Sequence, residues 1–239
     1  MIVLKILGNL IPAIFGIYAI KQWKSAKLDK SQIGERLGFR PFSLFQLMTG
    51  LVLGALVFSI IFLTSLKFDL LEINQFSWTS GNLLTTVLMF SAGAIGEELI
   101  FRSFFINGLK QFTKSIFLIL TISAFFFSMV HWFNDGSTLL SSLSSFLGGL
   151  MYGYAFIKTE KLWLPVGLHF SWNFFQSFVY GFPVSGYIKD GLFQTIMNNE
   201  GNELWTGGAY GPEGGLFGIL ARIVVIVLSW LIMTKKYGR

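Results

Sequence analysis

Three charged residues, Glu97, Glu98 and Arg102, fall inside one long apolar run of this sequence, and its two histidines, His131 and His169, fall inside two others. An acidic or basic side chain at mid-membrane costs about 2.5–3.5 kcal/mol on insertion scales, so three on one helix need compensation and a reason. Helical spacing sorts them. Glu98 and Arg102 are four apart, share a face and can pair, which makes them structural. Glu97 lies about 100° further round the helix and is left without an intrahelical cation, which makes it a candidate general base. His169 and Asn173 are also four apart, so an imidazole and an amide can jointly donate hydrogen bonds to a developing negative charge. Phe127 precedes His131 by one turn and its ring can pack under the imidazole. Either histidine alone reads as a satisfied core residue. Together with Glu97 and Asn173 they are the parts of a hydrolase or of a metal site. Lys5 and Arg222 lie nearer helix ends, where they can snorkel, and are assigned no chemistry.

Other chemistries are excluded by what is missing. Cys is absent, which removes disulfides, a thiol nucleophile and Cys-ligated zinc. There is no His-Glu-x-x-His helix, no Gly-x-Ser-x-Gly elbow, no Gly-x-Ser-Gly, no P-loop and no Gly-x-Gly-x-x-Gly. The aspartates (Asp29, Asp69, Asp135, Asp190) all fall in connections, against a paired intramembrane aspartyl site.

The elements that must position these groups are membrane helices. The chain has 239 residues, 53% hydrophobic and 13% charged, half the charge of an ordinary soluble domain, and too apolar for disorder. Its net charge of +6 is gathered in short clusters between apolar runs, with no basic stripe for nucleic acid. Crossing about 30 Å of hydrocarbon takes roughly 20 helical residues. Runs of that order predict about seven spans: Met1–Ile20, Leu44–Leu66, Asn82–Leu109, Ser115–Phe133, Thr138–Ile157, Leu162–Phe182 and Gly215–Thr234. Continuous apolar stretches, without ten-residue alternation, favour an all-α polytopic bundle over a barrel. The first run continues into Lys21-Gln22-Trp23-Lys24 without a small-residue cleavage site, so a retained helix is expected. One membrane-embedded domain over 1–239 is expected.

Lys and Arg favour every second connection. Lys21, Lys24, Lys27, Lys30, Arg36 and Arg40 occupy 21–43, Lys110 and Lys114 the third connection, Lys158 and Lys161 the fifth, and Lys235, Lys236 and Arg239 the tail. The intervening connections carry Lys67 with Asp69 and Glu72, then Asp135, then Lys189 with Asp190, Glu200, Glu203 and Glu213. The positive-inside pattern then places the amino terminus outside and the carboxyl terminus in the cytoplasm, and a plasma-membrane location is expected. Gly50-x-x-x-Gly54 and Gly149-x-x-x-Gly153 predict close helix approach inside the bundle. The Gly-rich 183–214 connection reads as a solvated loop, with a substrate gate as the alternative.

At these residues the sequence resembles a known family. Glu97-Glu98-Leu-Ile-Phe-Arg102 is similar to the Glu-Glu-x-x-x-Arg first motif of the CPBP family (CAAX proteases and bacteriocin-processing enzymes, also called Abi). Phe127-x-x-x-His131 is similar to its second motif and His169-x-x-x-Asn173 to its third. The likeness covers about Gly93–Phe178, within a core of about 82–182. It implies an intramembrane endopeptidase in which Glu97 with His131 activates water, His169 and Asn173 stabilise the oxyanion, and Glu98, Arg102 and Phe127 support the scaffold. The implied partners are the bilayer and a membrane-associated substrate: a prenylated protein, a leader peptide or a signal peptide. The family is described both as metalloprotease and as metal-free glutamate enzyme. Glu97, His131 and His169 could supply three ligands to zinc, so a metal-bound water and a carboxylate-bound water both stand. Two other classes of function are weighed: a non-catalytic bacteriocin-immunity or interaction protein, and a proton-coupled transporter.

Straight helices leave a geometric demand. Counted at ~1.5 Å per residue from the expected cytoplasmic ends, His169 lies ~10 Å deep, Glu97 ~18 Å and His131 ~24 Å. One shared site requires tilt, a broken helix or a shortened span, and a water-accessible cavity among the third, fourth and sixth helices.

Overall fold

Side-chain oxygens set where several helices begin. Ser43, Ser115 and Thr138 each accept a hydrogen bond from the backbone N–H three residues on, and Thr138 with Ser141 forms a reciprocal capping box. The computed structural model describes residues 2–78, 83–187 and 191–237, with side chains from residue 9 to residue 236 in those ranges. Met1, Asn82, the Lys5 side chain, Lys189, Asp190 and Arg239, all used above, lie outside the described residues.

The chain forms α1 (Ile2–Ser25), α2 (Lys30–Arg36), α3 (Leu44–Lys67), β1 (Leu71–Phe76) and α4 (Leu83–Leu109). Then follow α5 (Ile116–His131), α6 (Leu139–Thr159), α7 (Trp163–Asn173), β2 (Phe193–Met197), the single turn α8 (Glu203–Thr206) and α9 (Leu216–Tyr237). This is a helical membrane bundle. Four helices are long and apolar enough to cross a membrane among the described residues: α3, α4, α6 and α9. With 16 residues, α5 measures ~24 Å, short of the ~30 Å hydrocarbon layer. Two helices change form beside the charged residues. From Leu99 to Ile106 α4 is π-helix, starting directly after Glu98, and α7 continues as π-helix from Phe174 to Val179, directly after Asn173. Such wide turns recur at functional sites.

Glycines bring the rods together as expected. A side chain at Gly50 would strike the α7 backbone between Leu164 and Leu168, one at Gly54 would strike Ser171 and Trp172, and one at Gly149 would strike Ala124 of α5. The small residues therefore pack inside the bundle. The core between the rods is aromatic and aliphatic, with Phe58, Phe101, Phe105, Phe156 and Trp172 almost wholly buried.

Connections sort into two ends. At one, Asn107 Nδ2 donates to Arg36 O, Ser103 Oγ to Leu37 O and Leu162 N–H to Gly38 O. At the other, β1 pairs antiparallel with β2, from Leu71 opposite Met197 to Phe76 opposite Phe193. There too Gly186 N–H donates to Tyr210 O, and Gly136, at φ +68°, leaves room for the Ala209–Tyr210 backbone. The first, third and fifth connections thus lie at one end, the second, fourth and sixth at the other. The 183–214 segment departs from a simple solvated loop. It holds β2 and buries Thr206, Tyr210 and Glu213, because its backbone is hydrogen-bonded into the ends of its neighbours.

Candidate active site

Two adjacent glutamates on α4 face different surroundings, as 100° of helical rotation requires. Glu98 is wholly buried. Its Oε2 lies 3.1 Å from Arg102 Nε, and its Oε1 accepts a 2.8 Å hydrogen bond from His169 Nδ1. The expected Glu98–Arg102 pair is present, and the bond to His169 is an addition. The Arg102 guanidinium sits over the rings of Phe127 (4.4 Å) and Tyr152 (5.2 Å), so π-faces rather than water surround it. Glu97, by contrast, keeps 38% of its side chain exposed and lines a cavity.

His131, the last residue of α5, is held against Glu97. Its Nδ1 is 2.7 Å from the Phe127 carbonyl, which can only accept, so Nδ1–H donates there, and Nε2 lies 3.8 Å from Glu97 Oε2. Phe127 packs against the imidazole as expected, ring centroids 4.5 Å apart. Contacts, rather than equal counts from the helix ends, set the level of α5 against α4. Ser123 Oγ donates to Phe101 O, the Phe127 ring meets Phe101 edge-on, and one turn further along each helix His131 meets Glu97, as antiparallel helices require. His169 is buried, and its ring stacks on Tyr152 at 4.7 Å and 16°.

The cavity encloses about 400 Å³. Met89, Gly93 and Glu97 of α4 line one side at four-residue intervals, and His169, Asn173 and Ser177 line another at the same spacing. All four expected catalytic residues, Glu97, His131, His169 and Asn173, border this one space. The zinc set does not assemble in the same way. Among the described residues no three His, Asp or Glu side chains converge closely enough to hold a metal ion. The reason is geometric: Glu97 and Glu98 diverge around the helix and each engages its own histidine. The residues present therefore do not form the three-ligand site considered from the sequence.

A second buried pair borders the cavity, and sequence reasoning missed it. Arg222 is not a snorkelling residue: it is buried, with Nη2 3.1 Å from Glu213 Oε2 and Nη1 donating to Glu213 O and to Ser144 Oγ. Trp172 Nε1–H donates to Glu213 Oε2, and Ser185 donates to Glu213 Oε1 from both N–H and Oγ–H. The Arg222 guanidinium lies 4.8 Å over the Trp172 ring. One signal was available. Arg222 stands seven residues into the expected span that begins at Gly215, about 10 Å from its end and too deep for free snorkelling.

The arrangement resembles a hydrolytic site: a cavity-facing carboxylate beside an oriented imidazole, with a second imidazole and an amide across the space. Comparison with known proteins agrees. Residues 77–175, which contain all three motifs, match the family described as Type II CAAX prenyl endopeptidase Rce1-like. No curated protein and no solved structure matches the chain. With its glutamate pair, its two histidines and this match, segment 77–175 belongs to the CAAX protease (CPBP) family of intramembrane endopeptidases.

Proposed function

We propose that this protein hydrolyses a peptide bond of a membrane-associated protein or peptide through a water molecule activated by Glu97 and His131. The Glu97–His131 pair at the cavity carries this reading, because it is the carboxylate free of the Arg102 ion pair. In the reading, water oxygen bonds to the scissile carbonyl carbon while Glu97 takes a water proton. With the Nδ1–H of His131 anchored on Phe127 O, its Nε2 accepts a hydrogen bond from the other proton of the same water and so orients it toward Glu97. The tetrahedral oxyanion accepts hydrogen bonds from Asn173 Nδ2 and from His169. With Nδ1–H given to Glu98, the imidazolium form of His169 offers a second N–H from Nε2. Return of the proton to the leaving nitrogen breaks the C–N bond. Glu98, Arg102 and Phe127 hold the histidines in place. The reading treats the whole chain as one membrane domain, in the plasma membrane.

The test is cleavage of a quenched-peptide panel by purified protein, wild type against Glu97→Gln. The isosteric change should reduce the rate by about 10²–10⁴-fold, the span of general-base contributions, with thermal unfolding unchanged. Equal rates would remove Glu97 from the mechanism.

A further inference from the structure

The catalytic cavity and the basic connections occupy opposite ends of the bundle. Lys and Arg crowd one end: six between residues 21 and 43, then Lys110 with Lys114, Lys158 with Lys161, and Lys235 with Lys236. The other end has Lys67 and Lys189 among its connections. Every connection is short enough for the positive-inside rule to apply. The cavity reaches the Lys/Arg-poor end, where Asn134, Val184, Ser185, Tyr187 and Glu213 border it and Tyr187 is 71% exposed. None of its described lining residues belongs to the basic connections. Towards the basic end, Phe101, Phe105, Ile106, Phe156 and Leu162 are almost wholly buried and form part of the apolar core.

From this juxtaposition we propose that the cavity opens away from the cytoplasm and that its substrate is an exported peptide or the extracytoplasmic segment of a membrane protein. The inference rests on the proteolytic reading above and narrows its substrate class. About 400 Å³ admits a short extended stretch of chain and excludes a folded domain. The polar rim at Asn134 and Ser185 suits a backbone arriving from water, and the wall of Met89, Phe90 and Gly93 suits apolar side chains. A cytoplasmic tail would have to reach the same site past the buried core from the basic end.

Because the chain lacks Cys, single-cysteine variants report sidedness directly. Tyr187→Cys marks the rim, Gly93→Cys the cavity wall and Lys114→Cys the basic end. A side chain at Gly93 meets nothing within 4 Å, so this variant should fold. Right-side-out and inside-out membrane vesicles would be treated with a small membrane-impermeant thiol reagent. Residues 187 and 93 should react at least tenfold faster in right-side-out vesicles, and residue 114 in inside-out ones. The reverse pattern would overturn the proposal, as would equal labelling of Gly93→Cys from the two sides. In parallel, a membrane-impermeant quenched peptide should be cut, dependent on Glu97, by right-side-out vesicles. Glu97-dependent cutting confined to inside-out vesicles would also overturn it. Absence of Glu97-dependent cutting in both would defeat the proteolytic reading instead, while thiol labelling still decides which way the cavity faces.

Discussion

Two buried ion pairs grip α7, one from each neighbour, and they are built differently. Glu98 and Arg102 share one helix at four-residue spacing, and Glu98 reaches across to His169. Glu213 and Arg222 join a Gly-rich loop to a later helix, and Glu213 reaches across to Trp172, the residue before Asn173. Each arginine lies over aromatic rings, Phe127 and Tyr152 in one case and Trp172 in the other. The difference is in the remaining partners. Arg102 faces rings on the sides that Glu98 leaves, and among the described residues Nη1 and Nη2 have no hydrogen-bond acceptor. Arg222 also donates to Ser144 Oγ and to a backbone carbonyl. The first pair is an electrostatic couple that stands or falls together. The second is a knot in which backbone shares the load.

Removing the carboxylates separates the two. Glu98→Ala leaves a buried guanidinium without its counter-charge and should cost about 3–5 kcal/mol, seen as loss of folded protein in thermal unfolding in detergent. Glu213→Ala should cost less, about 2–3 kcal/mol, since Arg222 keeps its other acceptors. Equal losses would erase the distinction.

The second pair should also carry an alkaline sensitivity. Burial first, and the Glu213 charge second, push the Tyr210 phenol up to about 12. A phenol that ionises near 10 when unfolded and near 12 when folded contributes fully below pH ~10. Between pH ~10 and ~12 the unfolded chain loses its proton first, so stability should fall by about 2–3 kcal/mol. Unfolding midpoints measured across that range should decline more steeply in wild type than in Tyr210→Phe, and parallel curves would refute the assignment. The smallest expected effect is at the rim. Ser185→Ala removes one donor to Glu213 while the Ser185 N–H remains, and should cost about 1 kcal/mol by the same unfolding measurement.

Legibility in the sequence followed the same division. The Glu98–Arg102 pair could be read because both partners lie one turn apart on one helix, so spacing alone predicts contact. The helix ends could be read from apolar length and from caps such as Thr138. The Glu98–His169 bond could not, because 71 residues of chain separate the partners and only the packing of α7 beside α4 brings them together. Arg222 was misread for the same reason, its partner being a loop residue with no periodicity to mark it.

Composition, run length and local spacing therefore determined by themselves a helical membrane bundle, its alternating connections and the different surroundings of Glu97 and Glu98. Those properties depend on neighbours within one turn and on the cost of placing charge in hydrocarbon. Tertiary structure alone decided that Glu98 meets His169, that the possible zinc ligands do not converge among the described residues, and that residues of the 183–214 connection border the cavity. Those outcomes depend on the register of helices distant in sequence, which side-chain contacts select and no local pattern encodes.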